Sequence, residues 1–207
     1  MKNQLTYLAL GDSYTIGEDV VESESFPNQL QHQLEAEGLS IATPMIIAKT
    51  GWTSSELQEA IALHQTLKGQ QFDFVTLLIG VNNQYRAESK ASYREEFKGL
   101  LQTAIHFAHS NPKNVFVLSI PDWGVTPYGM KSGRDLAIIT TEIDEFNGVN
   151  REETLALGVN YTDITSISRL AFSDPEGMIA ADGLHPSAQM YHQWVVQLVP
   201  IVIKRLK

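Results

Sequence analysis

Short apolar runs alternate along the chain with longer stretches of helical period. Leu5 to Leu10, Ile41 to Ala48, Phe72 to Ile79, Val115 to Ile120 and Val159 to Thr162 are too short for helices. They read as strands, and their near-continuous apolar character suits strands covered on both faces. After the first, Phe26, Leu30 and Leu34 recur at a spacing of one helical turn, with Pro27 in the first turn and Gly38 at the end, which predicts a helix with start and stop signals. Thr53 and Glu56 have the spacing of a capping box, so a second helix is expected to begin there. A third is expected from near Ser92, again with Glu95 three residues on, carrying Phe97, Leu100, Leu101, Ala104, Ile105 and Ala108 to a stop at Asn111-Pro112. A fourth runs from about Asp135 to Leu157 with Ile139, Ile143 and Phe146 inward. The last follows Ser187, with Trp194, Val195, Leu198 and Val199 on its apolar face.

Strands alternating with helices predict an α/β fold with an open, doubly wound parallel sheet. Ligands in such sheets sit outside the carboxyl ends of the strands. The 207 residues carry no internal repeat, low-complexity tract or linker, so one domain spanning residues 1–207 is expected. Two connections, Pro121 to Gly133 and Leu170 to Pro186, are long for a compact domain, a length that goes with function.

Composition narrows the classes. Hydrophobic residues at 43% provide a full core and argue against disorder. Lys plus Arg number 15 against 24 Asp plus Glu, and the resulting net charge of −9 disfavours nucleic acid as a partner. The absence of cysteine removes disulfides, thiolate nucleophiles and Cys-bound zinc together. No apolar run approaches the roughly 18 residues of a membrane span. The run within Met1 to Leu10 is too short for a secretion signal and meets Gly11-Asp12. A cytoplasmic location is therefore expected, or a secreted or periplasmic one had a leader been removed.

The segments that follow the strands carry the candidate chemistry. After the first come Gly11-Asp12-Ser13-Tyr14-Thr15-Ile16-Gly17; after the second, Thr50-Gly51-Trp52-Thr53; after the third, Gly80-Val81-Asn82-Asn83. Ala181-Asp182-Gly183-Leu184-His185-Pro186 precedes the last helix. A hydroxyl, an imidazole, a carboxylate, a carboxamide and glycine amides thus share one rim, the set that acyl transfer to water requires. Ser13 is the candidate nucleophile, His185 its base and Asp182 the group that orients the base. The backbone amides of Ser13 and Gly51 and the side-chain amide of Asn82 are the candidate oxyanion hole. Taken singly these residues read as caps and turn formers; their combination favours catalysis. His106 and His109, spaced i, i+3 on the third helix, lack an accompanying carboxylate motif and read as a solvated face.

These four blocks, in this order, resemble those of the SGNH hydrolase superfamily, the GDSL esterases and lipases. The resemblance spans most of the chain. It implies a flavodoxin-like three-layer sandwich with a five-stranded parallel sheet in the order 2-1-3-4-5. It also implies cofactor-free and metal-free hydrolysis of esters or thioesters, with Ser13, Gly51, Asn82 and His185 as the name-giving residues. Tyr14 stands where the family's name has leucine, and Asn83 where the third block usually has aspartate. Asp12, Tyr14, Trp52, Asn83, Tyr85, Trp123, Tyr128 and Met130 are the candidate substrate-binding residues. Trp123, Tyr128 and Met130 either wall an acyl or alcohol pocket or pin down their loop.

The expected substrate is a small-molecule ester with a small or short-chain acyl group: acetylated carbohydrate, lysophospholipid or acyl thioester. The alternatives are a noncatalytic carbohydrate-binding protein and a flavin or nucleotide binder on the same sheet. Glu18 and Asp19 follow the first loop and repel phosphate, and that loop lacks the Gly-Lys-Ser/Thr of a phosphate loop. No Gly-x-Ser-x-Gly elbow of the α/β-hydrolases occurs.

Overall fold

A computed structural model describes residues 4–207; Met1 to Asn3, the start of the segment whose apolar run is too short for a secretion signal, lie outside the described residues. Five parallel strands, β1 (Tyr7–Gly11), β2 (Met45–Ala48), β3 (Phe74–Leu78), β4 (Val115–Leu118) and β5 (Asn160–Thr162), form one sheet in the order β2-β1-β3-β4-β5. The register places Leu10 beside both Ile47 and Leu77, and Val117 between Leu77 and Tyr161. The central strands β1, β3 and β4 are buried throughout, while the edge strands β2 and β5 are partly open. Full burial of a Leu, Val or Phe side chain contributes roughly 1.5–3 kcal/mol, so the three middle strands anchor the sheet.

The helices are α1 (Ser13–Ile16), α2 (Phe26–Ala36), α3 (Ser54–Leu63), α4 (Val81–Tyr85), α5 (Lys90–Phe107), α6 (Pro127–Lys131), α7 (Leu136–Ala156), α8 (Thr165–Ser168), α9 (Pro175–Met178) and α10 (Ala188–Leu206). The chain moves outward from β1 to β2 and then returns past β1 to β3. Right-handed crossovers therefore put α2 on one face and α3, α5 and α7 on the other. Accordingly α10 packs on α2, and α5 packs on both α3 and α7. The reversal lies beside β1, so the loops after β1 and β3 open onto the same crevice.

Caps set the helix starts. Thr53 and Glu56 form the reciprocal capping box of α3, Asp135 caps α7 and Ser187 caps α10. The expected start near Ser92 is corrected: Ser89 caps α5 by accepting the Ser92 N–H, and Ser92 lies inside the first turn. Each expected strand is also shorter than its apolar run. Leu5 and Ile41, for example, form only an isolated bridge outside β1 and β2. The two long connections contain α6 and α9.

Candidate active site

Asp12 ends β1's turn and caps α1, its Oδ1 accepting the Tyr14 N–H at 3.0 Å. The turn is tight because Gly11 has no side chain: a Cβ there would strike the Thr15 side chain and the Leu78 carbonyl. Ser13 is consequently the first residue of α1, where its own N–H lacks an intrahelical acceptor. Burial pushes the Asp12 carboxyl up to about 7 against the opposing backbone hydrogen bond, and among the described residues its Oδ2 has no partner.

The opposing wall comes from the segment before α10. His185 Nδ1 meets Asp182 Oδ2 at 2.5 Å, and Asp182 Oδ1 accepts the N–H groups of Leu184 (2.8 Å) and His185 (2.9 Å). Partial burial disfavours the Asp182 carboxylate, but the imidazole and these amides outweigh it and hold the carboxyl below its ordinary value. Asp182 stays charged and orients the ring. Its own N–H donates to Asp19 Oδ2 at 2.8 Å, which ties the imidazole's turn to the segment after α1. The Tyr14 ring packs edge-on against the imidazole, with centroids 5.6 Å apart.

The third side is cross-linked. Gly51, at φ 83°, has a backbone that favours glycine, and its carbonyl accepts from Arg86 Nη2 at 2.6 Å. Asn82 Nδ2 donates to the Trp52 carbonyl at 2.9 Å, which uses one amide proton and leaves the second. Arg86 also pairs with Glu56 at 3.2 Å. The segment after β2 and the helix after β3 thus hold each other in place.

A cavity of about 190 Å³ lies between these walls, lined by Ser13, Gly51, Asn82 and His185 together with Tyr14, Tyr85, Trp123 and Tyr128. Thr50, Val81 and Leu184 complete the lining. These three were missed by sequence reasoning, although each adjoins a residue that was singled out. Asp182 sits behind His185, outside the lining. Among the described residues no hydrogen bond joins Ser13 Oγ to the imidazole; both side chains open on the cavity, and such contacts tighten when substrate binds.

Four of the candidate substrate-binding residues lie outside the lining. Asp12 is buried as a cap, and Asn83 is buried among Ser54, Glu88 and Glu96. Trp52 packs partly on the core and offers its carbonyl to Asn82. Met130 is exposed on α6, two residues and more than half a helical turn beyond Tyr128. Gln84 is also buried, its Oε1 accepting from Trp123 Nε1 at 2.8 Å. Among the described residues no three His, Asp or Glu side chains gather as a metal site.

The fold matches several solved structures over nearly their whole length. A lipase/acylhydrolase from Enterococcus faecalis is 22% identical, with a TM-score of 0.75, covering 99% of this chain and 98% of that one. The psychrotrophic esterase EstA from Pseudoalteromonas sp., in a structure inhibited by monoethylphosphonate, is 17% identical, with a TM-score of 0.70 and coverage of 98% and 99%. An acetyl xylan esterase from Geobacillus stearothermophilus is 15% identical, with a TM-score of 0.68 and coverage of 98% and 97%. No curated protein matches the sequence significantly. The model of the GDSL-like lipase/acylhydrolase family matches residues 9–193, and the chain belongs to that family.

Proposed function

We propose that the chain hydrolyses carboxylic esters of small acyl groups through an acyl-enzyme formed on Ser13. The observation that carries this reading is His185, backed by Asp182, opening on the cavity that Ser13, Gly51 and Asn82 also line. Ser13 Oγ attacks the ester carbonyl while His185 Nε2 takes its proton; Asp182, bonded to Nδ1, stabilises the imidazolium. The developing oxyanion meets the amides of Ser13 and Gly51 and the free amide proton of Asn82. His185 then protonates the leaving alcohol, and water attacks the acyl-enzyme by the same proton route. No metal or cofactor enters these steps.

The cavity favours a small acyl group, because sites for drug-sized ligands span roughly 300–1,000 Å³ and this one is about 190 Å³. The acetyl xylan esterase among the structural neighbours is in keeping with an acetyl-sized substrate. A phosphate-binding reading has less support: Asp19 bonds the Asp182 N–H and Glu18 bonds Thr50, so two carboxylates flank the loop. The test is turnover of p-nitrophenyl acetate by the wild type and Ser13→Ala. A loss of kcat of at least about 10³-fold in folded Ser13→Ala is expected. Undiminished turnover would reject Ser13 as the nucleophile.

A further inference from the structure

Two tyrosines from separate elements meet in the lining of the cavity. The hydroxyls of Tyr85, on α4, and Tyr128, on α6, lie 3.0 Å apart although 43 residues separate them in sequence. Each ring also packs on Trp123, with centroids 5.4 Å away for Tyr85 and 6.1 Å for Tyr128. Trp123 is only 2% exposed, and its ring is fixed by the bond to Gln84 and by Arg134 over its face at 5.4 Å. The tyrosines are 48% and 40% exposed. The three rings therefore form a wall with a rigid base and a rim closed by one water-accessible hydrogen bond.

That rim also joins the two halves of the site. Tyr85 lies one turn after Asn82, and the Tyr128 N–H donates to Gly183 O at 2.8 Å, in the turn that carries Asp182 and His185. The bond to Tyr85 raises the Tyr128 hydroxyl above its ordinary pKa.

We propose that the Tyr85–Tyr128 clasp sets the acyl-chain limit of this site, confining the acyl group to short chains while it is closed and admitting longer ones once opened. The inference rests on the cavity being the acyl site. Tyr128→Phe and Tyr85→Phe remove the bond and keep the rings; Tyr128→Ala removes one side of the wall.

The experiment measures kcat/KM for p-nitrophenyl acetate, butyrate and octanoate. The wild type should favour the short esters. The octanoate-to-acetate ratio should rise several-fold in the Phe variants and by about ten-fold or more in Tyr128→Ala, since one methylene in an apolar pocket is worth roughly 10-fold or more. A ratio unchanged in all three folded variants would overturn the clasp. Should Tyr128→Ala fail to fold, the two Phe variants decide by the same ratio.

A second arm needs no turnover. In the Ser13→Ala background, butanoate and octanoate binding is followed by tryptophan fluorescence, with Trp123 as the reporter beside both tyrosines. Octanoate binding should strengthen relative to butanoate when the clasp is removed, and an unchanged preference again overturns the proposal. A chain that hydrolyses no ester but gains octanoate binding would sink the proposed hydrolysis and keep the clasp.

Discussion

Asn82 has two amide protons and one structural duty. The Trp52 carbonyl takes the first proton, which leaves the second for another acceptor at the cavity that Asn82 lines. Asn82→Ala should therefore lower kcat by about 10²–10³-fold, the scale of one lost oxyanion donor; steady-state kinetics in which only KM changes would make it a positioning group instead. Asp12 poses the opposite case, a carboxyl behind the candidate nucleophile that burial holds at about 7. A raised carboxyl pKa means that the folded state keeps a proton the unfolded chain has released. This contribution is full below the ordinary carboxylate range and is lost as pH rises toward 7. Asp12→Asn keeps the acceptor for Tyr14 and has no charge to desolvate. Its stability relative to wild type should grow between pH 4 and 7, by at most about 1.4 kcal/mol per pH unit. Urea unfolding at several pH values checks this, and parallel curves for the two proteins would refute it. The candidate triad and oxyanion residues were legible because each follows a strand or precedes a capped helix. The burial of Asp12 was not legible, since the same Gly-Asp-Ser string reads equally as an exposed turn.

At the scale of elements, Asn83 binds three helices together. From α4 its Oδ1 accepts the Ser54 N–H at the start of α3, and its Nδ2 donates to Ser54 Oγ at 2.8 Å and Glu88 at 2.7 Å. Glu96 of α5 stands beside the same Nδ2 and also accepts from the Ser54 hydroxyl. An aspartate at this position would face two carboxylates where Asn83 offers a donor, which accounts for the departure from the family's usual residue. Asn83→Asp should cost about 1–3 kcal/mol at neutral pH, and the cost should shrink on acidification as a shared proton returns. Thermal unfolding at pH 5 and pH 8 reads both effects; an equal or raised Tm at pH 8 would contradict them. Strands and long helices were readable from period and caps. The start of α5 was not, because Ser89 and Ser92 both offer a capping hydroxyl and only the backbone chooses between them. The short helices α4 and α6 carry too few residues to show a period, so the meeting of Tyr85 with Tyr128 is a tertiary fact.

At the scale of the molecule, the topology brings the turn after the first strand and the segment before the last helix to one crevice. The turn after β1 supplies Ser13, the segment before α10 supplies His185, and α10 packs on α2, the helix that follows the Ser13 turn. Asp19 fastens the two segments through the Asp182 N–H. Among the described residues no helix is long and apolar enough to cross a membrane. The central claim is that this crevice makes one serine oxygen nucleophilic, and covalent trapping tests it most directly. Incubation with a p-nitrophenyl alkylphosphonate, followed by intact mass and peptide mapping, should give one adduct per chain on Ser13, together with loss of p-nitrophenyl acetate turnover. Ser13→Ala should remain unlabelled. Labelling at another residue, or ester turnover that persists in fully modified protein, would contradict the account.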